Sequence, residues 1–431
     1  MLAAELAACL RANCAGPALR PRIAVFRALQ LGDLMCAVPA LRALRRARPD
    51  AQIALIGLPW SAGWAQRLPY LDDWFEFPGW PGLPECVPDL RAIPGFIALM
   101  QACRFDLALQ LHGSGSIVNP LVASFGARAM AGFVRAGESA PQREGFVPWP
   151  EQGHEIERCL ALTDALGAPR AGLHLEFPLL PCDRGLLAQR WPELTQADAP
   201  YVCIHAGAQL ASRRWPPTRF AAVAAALVRA GLRVVLTGTA QERPLAEALK
   251  AALLPALAPA HRDAVLDRVG QTTLWQLGAL VERARLVVCN DTGISHVAAA
   301  LGTPSVVVSC GADTARWAPL DRQRHRVLAA AMPCRPCAYR ECPTAHECAQ
   351  RIAVEDVVAA AFAQLAAPGL VAREVKGAAA KSATNNAVNN AANNTANSTT
   401  NNTTHEMPNE AAHAAVNESA RPTGVHDAAS A

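Results

Sequence analysis

The chain has 431 residues, 52% of them hydrophobic and 18% charged. That is more apolar material than one ordinary core takes up, so two domains are expected. A formal net charge of +4 argues against a nucleic-acid-coating protein, and no apolar run reaches the roughly 18 residues a membrane span requires.

The opening "MLAAELAACL" has the apolar look of a secretory leader. Glu5 interrupts it and no basic segment precedes it. The expected location is therefore the cytoplasm. From Arg22 short apolar runs alternate with amphipathic ones. "RIAVFRA" reads as a strand, followed by "LQLGD" and a helix from Leu34 to about Ala47 that Pro49 closes. "AQIALIG" and "FDLALQLHG" are further strands, the second ending in a polar turn. Continuous rather than alternating apolar strands indicate parallel sheets covered on both faces.

The rhythm pauses over the Pro-rich stretch 173–200, which reads as a linker. It resumes with "YVCIHAG", a helix through Phe220, Val223 and Leu227 ended by Gly231, then "LRVVLTG", a helix near Leu277, "LVVCN", another helix and "PSVVVSCG". The α/β pattern thus occurs twice, predicting two doubly wound sheets whose ligands sit at the carboxyl ends of the strands. A last amphipathic helix spans Arg351 to Leu365, with Val354, Val357, Ala361, Phe362 and Leu365 on one side. Beyond Arg373 the composition falls to Ala, Asn and Thr, which cannot bury a core, so a disordered tail is expected over 373–431.

Four strand-end turns carry groups capable of chemistry. In "VVCNDTGISHVAAALGTPSVVV", Asn290, Asp291, Thr292, Gly293, Ser295 and His296 crowd between two apolar runs. A helix starting after Gly293 presents free backbone N–H groups and a partial positive charge to an anion such as pyrophosphate, and Gly293 permits close approach. The plainer reading is that Asp291 or Thr292 caps the helix and His296 is a buried core histidine. In "RALQLGDLMCAVPAL", Asp33 is either a helix cap or a general base facing a cleft. In "HAGAQLASRRWPPTRF", Arg213 and Arg214 stand before a helix that opens near Pro217, either as a phosphate clamp or as a solvated loop. In "LTGTAQERP", Glu242 is placed to accept hydrogen bonds from ribose hydroxyls, or simply favours a helix start.

Taken in order, "RALQLGDLMCAVPALRALRRARPDAQIALIG", "HEIERCLALTDALG", "GAQLASRRWP" and "NDTGISHVAAALGTPSVVV" resemble the heptosyltransferases of glycosyltransferase family 9, from about Pro21 to about Leu365. The resemblance implies a GT-B fold: two facing Rossmann-like doubly wound domains with a cleft between them. An extension over 1–20 lies outside it; within it the resemblance implies a first, acceptor-side domain over 21–172, then the linker, a second, nucleotide-sugar domain over 201–350, and a helix over 351–366 packing back on the first domain. The implied reaction is inverting, metal-independent transfer of a heptose or related sugar from an ADP-sugar such as ADP-heptose to a lipopolysaccharide core or other lipid-linked saccharide, with no cofactor required. Asp33 falls where the family has its proposed base. Arg213 (with Arg214), Glu242, Asp291, Thr292, Gly293 and His296 fall in its donor-binding positions. His112 and Asn119 are candidates for acceptor contact, beside the Pro-rich "PGWPGLPECVPDLRAIPGF". A lipid-linked acceptor and the basic "RALRRARP" imply peripheral contact with the inner face of the membrane. No nucleic-acid partner is expected.

Of 14 cysteines, most sit singly in apolar surroundings and read as reduced core residues. Cys334, Cys337, Cys342 and Cys348 are clustered, and read as a structural clip holding zinc or closed by disulfides, with metal and disulfide both open. Two other functions compete with transfer: a sugar-nucleotide epimerase of the same two-domain build, and a non-catalytic sugar-nucleotide-binding protein.

Overall fold

The computed structural model describes residues 20–141, 144–196 and 200–367. The expected N-terminal extension, but for Arg20, and the Asn-rich tail lie outside the described residues. Two six-stranded sheets, parallel throughout, form the scaffold. The first contains β1 (Arg22–Phe26), β2 (Gln52–Gly57), β3 (Asp73–Glu76), β4 (Leu107–Gln110), β5 (Ala129–Val134) and β6 (Phe146–Pro148), in the order β3-β2-β1-β4-β5-β6. The second contains β7 (Tyr201–His205), β8 (Arg233–Leu236), β9 (Val265–Asp267), β10 (Leu286–Asn290), β11 (Ser305–Val308) and β12 (His325–Leu328), in the order β12-β11-β10-β7-β8-β9. These are the two doubly wound sheets that the repeated pattern predicts, in keeping with the GT-B fold that the resemblance implies.

Both orders reverse at their centre, between β1 and β4 and between β7 and β10. Crossovers leave such a switch point in opposite directions, so the loops part there and open a crevice. The turns after β1, β4, β7 and β10 carry Asp33, His112, Arg213 and the polar cluster 290–296. The strands beneath them are rigid because they are buried: Ile23, Val25, Phe26, Val287, Val288 and Cys289 are all 0% exposed.

Three expectations need correction. The helix from Leu34 to Ala47 is two, Leu31–Cys36 and Val38–Ala47, with Ala37 between them and Pro39 in the first turn of the second. The stretch 173–200 is more than a linker. It contains a helix, Pro181–Arg190, that packs on the helix Leu274–Arg283. Leu187 is its buried anchor, Asp183 receives the Leu180 N–H at 2.8 Å, and Arg67 pairs with Asp183.

The last helix, Val354–Ala366, does not return to the first domain. It packs on the helix Pro217–Arg229 and on β10 and β11 of the second sheet. Val357 and Ala361 are fully buried in that core, whereas Phe362 lies outside it, 37% exposed. Trp215 fixes the approach: its indole Nε1 donates to the carbonyls of Ala349 and Ile352 at 3.1 and 3.3 Å. A buried indole needs such a partner, and satisfying it ties residues 349–352 to the second domain.

Candidate active site

The turn after β1 and the helix after β10 meet across the crevice. A Cβ built on Gly32 would lie 2.7 Å from His296 Cδ2, and one on Gly293 would lie 3.5 Å from Leu31 Cβ. Gly32 therefore makes room for His296, while Gly293 packs against Leu31 at ordinary contact distance. Asp33 lies in the first turn of its helix, but Gln30 occupies the cap position and the Asp33 side chain caps nothing. Among the described residues its carboxylate has no side-chain hydrogen-bond partner. Burial raises its pKa, with Glu155 adding to the rise while Arg27 and Arg316 oppose it. A raised carboxylate in a cleft is a stronger base, as proton abstraction requires.

The helix Gly293–Leu301 begins with no side-chain cap at Thr292, leaving its first N–H groups facing the crevice. The capping reading of Asp291 and Thr292 does not hold. Asp291 instead accepts from Ser309 Oγ at 3.2 Å, and burial raises its pKa against that bond and against Arg213, Arg335 and Arg322. Asn290 is a scaffold residue: it accepts from the Trp215 N–H at 2.9 Å and donates to Ala206 O at 2.8 Å, joining the ends of β7 and β10. Ser295 closes on Thr292 O. His296 is 5% exposed, and burial lowers its pKa to about 4, so it is neutral at pH 7.

The two arginines after β7 divide the work. Arg214 donates to Ala208 O and Gln209 O, bracing its own loop. Arg213 has a buried Nε without a partner and stands close enough to Asp291 to lower that residue's pKa. Behind it, Ser212 accepts and donates to the cysteine-rich segment: its N–H bonds Arg340 O, its Oγ bonds Tyr339 O, and His346 Nε2 lies 2.8 Å from its carbonyl. Glu242 closes a capping box on Thr239, its Oε2 accepting from that residue's N–H and Oγ1. A Cβ on Gly207 would lie 1.9 Å from Glu242 Oε1, so only glycine admits the carboxylate here.

Sequence reasoning passed over His205, which lies 3.9 Å from Glu242 Oε2 and 3.2 Å from Thr237 Oγ1; burial lowers its pKa against the pull of Glu242. Its position at the end of "YVCIHAG" was the available signal.

On the first sheet, His112 Nδ1 accepts from the Ala28 N–H at 3.2 Å, and its Nε2 lies 3.3 Å from Glu85 Oε1. Asn119 donates to Phe133 O, with its own Oδ1 buried and unpaired. Beside it opens a hollow of about 300 Å³ lined by Gly115, Ser116, Pro120, Glu138 and Pro141. His112 and Asn119 are thus partly spent on structure, each with one polar atom left over.

The cysteine clip is corrected. Among the described residues no three His, Cys, Asp or Glu side chains stand close enough to hold a metal ion, and Cys334, Cys337, Cys342 and Cys348 are all free thiols. The segment is held by backbone contacts, such as Cys337 N–H to Gly311 O at 2.7 Å, and by Arg335, which donates to Ser309 and Ala312 carbonyls. The basic stretch "RALRRARP" is likewise less of a patch than it reads: Arg42 pairs with Glu176, Arg45 with Asp72 and Arg48 with Asp50. No helix among the described residues is long and apolar enough to cross a membrane.

Comparison with known proteins agrees with this geometry. Residues 96–347 match the family model described as glycosyltransferase family 9 (heptosyltransferase). The chain is 27% identical over 313 residues to lipopolysaccharide heptosyltransferase 2 of Salmonella typhimurium, covering 67% of this chain and 82% of that protein. It is 26% identical over 349 residues to lipopolysaccharide heptosyltransferase 1 of Pseudomonas aeruginosa, covering 74% and 87%. Its fold is similar to the E. coli ADP-heptose lps heptosyltransferase II, with TM-score 0.61 and 20% identity over 80% of this chain and 98% of that one. A family 9 glycosyltransferase from Veillonella parvula aligns with TM-score 0.65 and 19% identity over 81% and 98%. With the model matching more than half of its length, the chain belongs to glycosyltransferase family 9 and is a glycosyltransferase.

Proposed function

We propose that this enzyme moves a heptose from ADP-heptose to a lipid-linked saccharide of the lipopolysaccharide core, with inversion and without a metal. The observation that carries the reading is the meeting of Gly32 with Gly293 and His296, which sets Asp33 against the donor signature of the other domain. Asp33 takes the proton of the attacking acceptor hydroxyl, a step worth about 10²–10⁴-fold. The departing diphosphate gains negative charge. Arg213 and the open N-terminus of the helix 293–301 receive it, with donors already in place before the reaction. Glu242 accepts from the ribose hydroxyls, beside His205.

The acceptor lies on the first domain, near His112, Glu85 and Asn119. Val87 and Leu90, 93% and 64% exposed in the neighbouring Pro-rich loop, face outward as the contact with a lipid surface. This replaces the stretch 42–49 as the membrane-facing element. Transfer accounts for Asp33 and the acceptor-side hollow together, whereas the epimerase and pure binding readings leave one or both unused.

The test is Asp33→Asn. Transfer from ADP-heptose to a lipid A–Kdo acceptor should fall by about 10²–10⁴-fold while ADP still stabilises the protein against heat, with or without EDTA. Undiminished transfer would remove Asp33 from its role. Stabilisation by UDP or GDP rather than ADP would change the donor.

A further inference from the structure

A buried ion network beside Asp33 takes no part in the reaction as described. Glu155 opens the helix Glu155–Ala165 with a side chain only 4% exposed. Its Oε1 accepts from Arg27 Nη2 at 3.0 Å and its Oε2 from Arg316 Nε at 2.8 Å. Arg27 follows β1 and is 1% exposed; its Nε and Nη2 also donate to the carbonyl oxygen of Asp33, at 2.9 and 2.6 Å. Arg316 comes from the other domain, on the short helix Thr314–Trp317 after β11. The contacts therefore run without a break from the second domain through Arg316, Glu155 and Arg27 to the backbone of Asp33.

Local structure does not need this arrangement. His154 already caps the helix 155–165, accepting the Ile156 N–H at its Nδ1. Buried ion pairs seldom add net stability, because desolvation offsets the attraction. They do fix geometry, and here the geometry fixed is that of the turn bearing Asp33.

We propose that Glu155 is a positioning residue that registers the second domain, through Arg316, against Arg27 and so against Asp33. This rests on Asp33 acting as the base in transfer. The charged and titratable groups around Asp33 are Arg27 after β1, Glu155 and Cys159 on the helix 155–165, Cys36 on its own helix, Arg316 on the helix 314–317 and His296 on the helix 293–301. Burial would raise the Glu155 carboxyl, but Arg27 and Arg316 outweigh it and hold it below its usual value; Arg158 Nη1, on the same helix, lies 3.7 Å from its Oε2, so Glu155 is an anion among three cations at neutral pH.

Two substitutions give opposite signs. Glu155→Gln removes an anion and leaves Arg27 and Arg316, with Arg158 behind them, uncompensated near Asp33, which lowers its ionisation midpoint. Arg316→Gln removes a cation, which raises it. The Asp33 midpoint is read by carbon NMR on protein labelled at the aspartate carboxyl carbons, with the signal assigned by its loss in Asp33→Asn. Both variants should also lose kcat in heptosyl transfer, up to about 10²-fold, the scale of a ~1 Å misplacement, with ADP affinity preserved. Glu155→Asp should restore the midpoint and part of kcat.

Shifts in the same direction, no shift, or wild-type kcat in either variant would overturn the proposal. Should Glu155→Gln fail to fold, Arg316→Gln, whose side chain is 29% exposed, carries the test alone. The titration needs no substrate. Opposite shifts in a protein that transfers no heptose would therefore uphold the network while refuting the function reading.

Discussion

Replacing Gly32 by alanine tests the meeting of the two domains directly. The added Cβ would stand 2.7 Å from His296 Cδ2 and 3.1 Å from Nε2, where an ordinary contact begins at 3.4 Å. His296 would have to retreat by about 0.7 Å. It has little room, since its ring is buried, lies edge-on to Trp317 and is 3.8 Å from Cys36 Sγ. Forcing one methyl into such a place costs about 1–3 kcal/mol. The same displacement moves Asp33 relative to the helix 293–301, and a shift approaching 1 Å lowers kcat by about 10²-fold. Denaturant unfolding gives the first quantity and initial rates of heptosyl transfer the second. The double variant Gly32→Ala/His296→Ala should recover much of the stability, because it removes the obstacle. Full stability and full kcat in Gly32→Ala alone would refute the close approach.

Gly207→Ala should displace Glu242 and weaken ADP binding, measured by calorimetry, while Thr239→Ala, which removes only one of the two bonds to Glu242 Oε2, has the milder effect. Arg213→Gln should weaken ADP binding by about 1.5–3 kcal/mol, the scale of a hydrogen bond to a charged group, and Arg214→Gln by much less, since its guanidinium is occupied by the Ala208 and Gln209 carbonyls. Equal losses would mean that both arginines touch the diphosphate. Acid stability should follow His296 and His325, whose pKa values burial lowers from 6.5 to about 4. The unfolded chain binds protons at these sites first, so their contribution to stability is present above pH 6.5 and is lost as pH falls toward 4. The loss is on the order of 3 kcal/mol for each. Asp33 and Asp291, raised by burial, act in the opposite sense. Replacing both histidines with glutamine should therefore flatten the melting temperature between pH 7 and pH 4.5; an unchanged slope would show that neither is held neutral.

The sheets were legible because parallel strands covered on both faces must be continuously apolar, and "IAVF" or "LVVC" has no other reading at that spacing. The polar cluster at 290–296 was legible for the converse reason. Asn290 looked like part of the binding group, yet its amide is spent on Trp215 and Ala206, partners some 75 and 84 residues away. The ion network was hidden similarly: Glu155 is separated from Arg27 by 128 positions and from Arg316 by 161, and nothing local marks any of the three. The helix Pro181–Arg190 escaped notice because Pro181, Gly185 and scattered charges blur its period. For the helix Val354–Ala366 the amphipathic pattern revealed a face to be buried, but periodicity does not say against which sheet. Cysteine spacing proved weakest, since thiols near in sequence, with Cys334 and Cys342 close enough to raise the Cys348 pKa, need not meet in a metal site or a disulfide.

With Arg213 holding the diphosphate as proposed, the hold of the cysteine-rich segment on Ser212 would make donor affinity depend on a part of the chain with little core of its own. Neither sheet needs residues 334–346 to complete its strands, and Cys334 and Tyr339 are exposed. A variant with that stretch replaced by a short spacer would thus be a folded protein with a loosened Arg213, able to melt cooperatively yet slow to capture nucleotide. Stability and affinity are in this sense separately adjustable, and the segment is the natural place to tune one without disturbing the other.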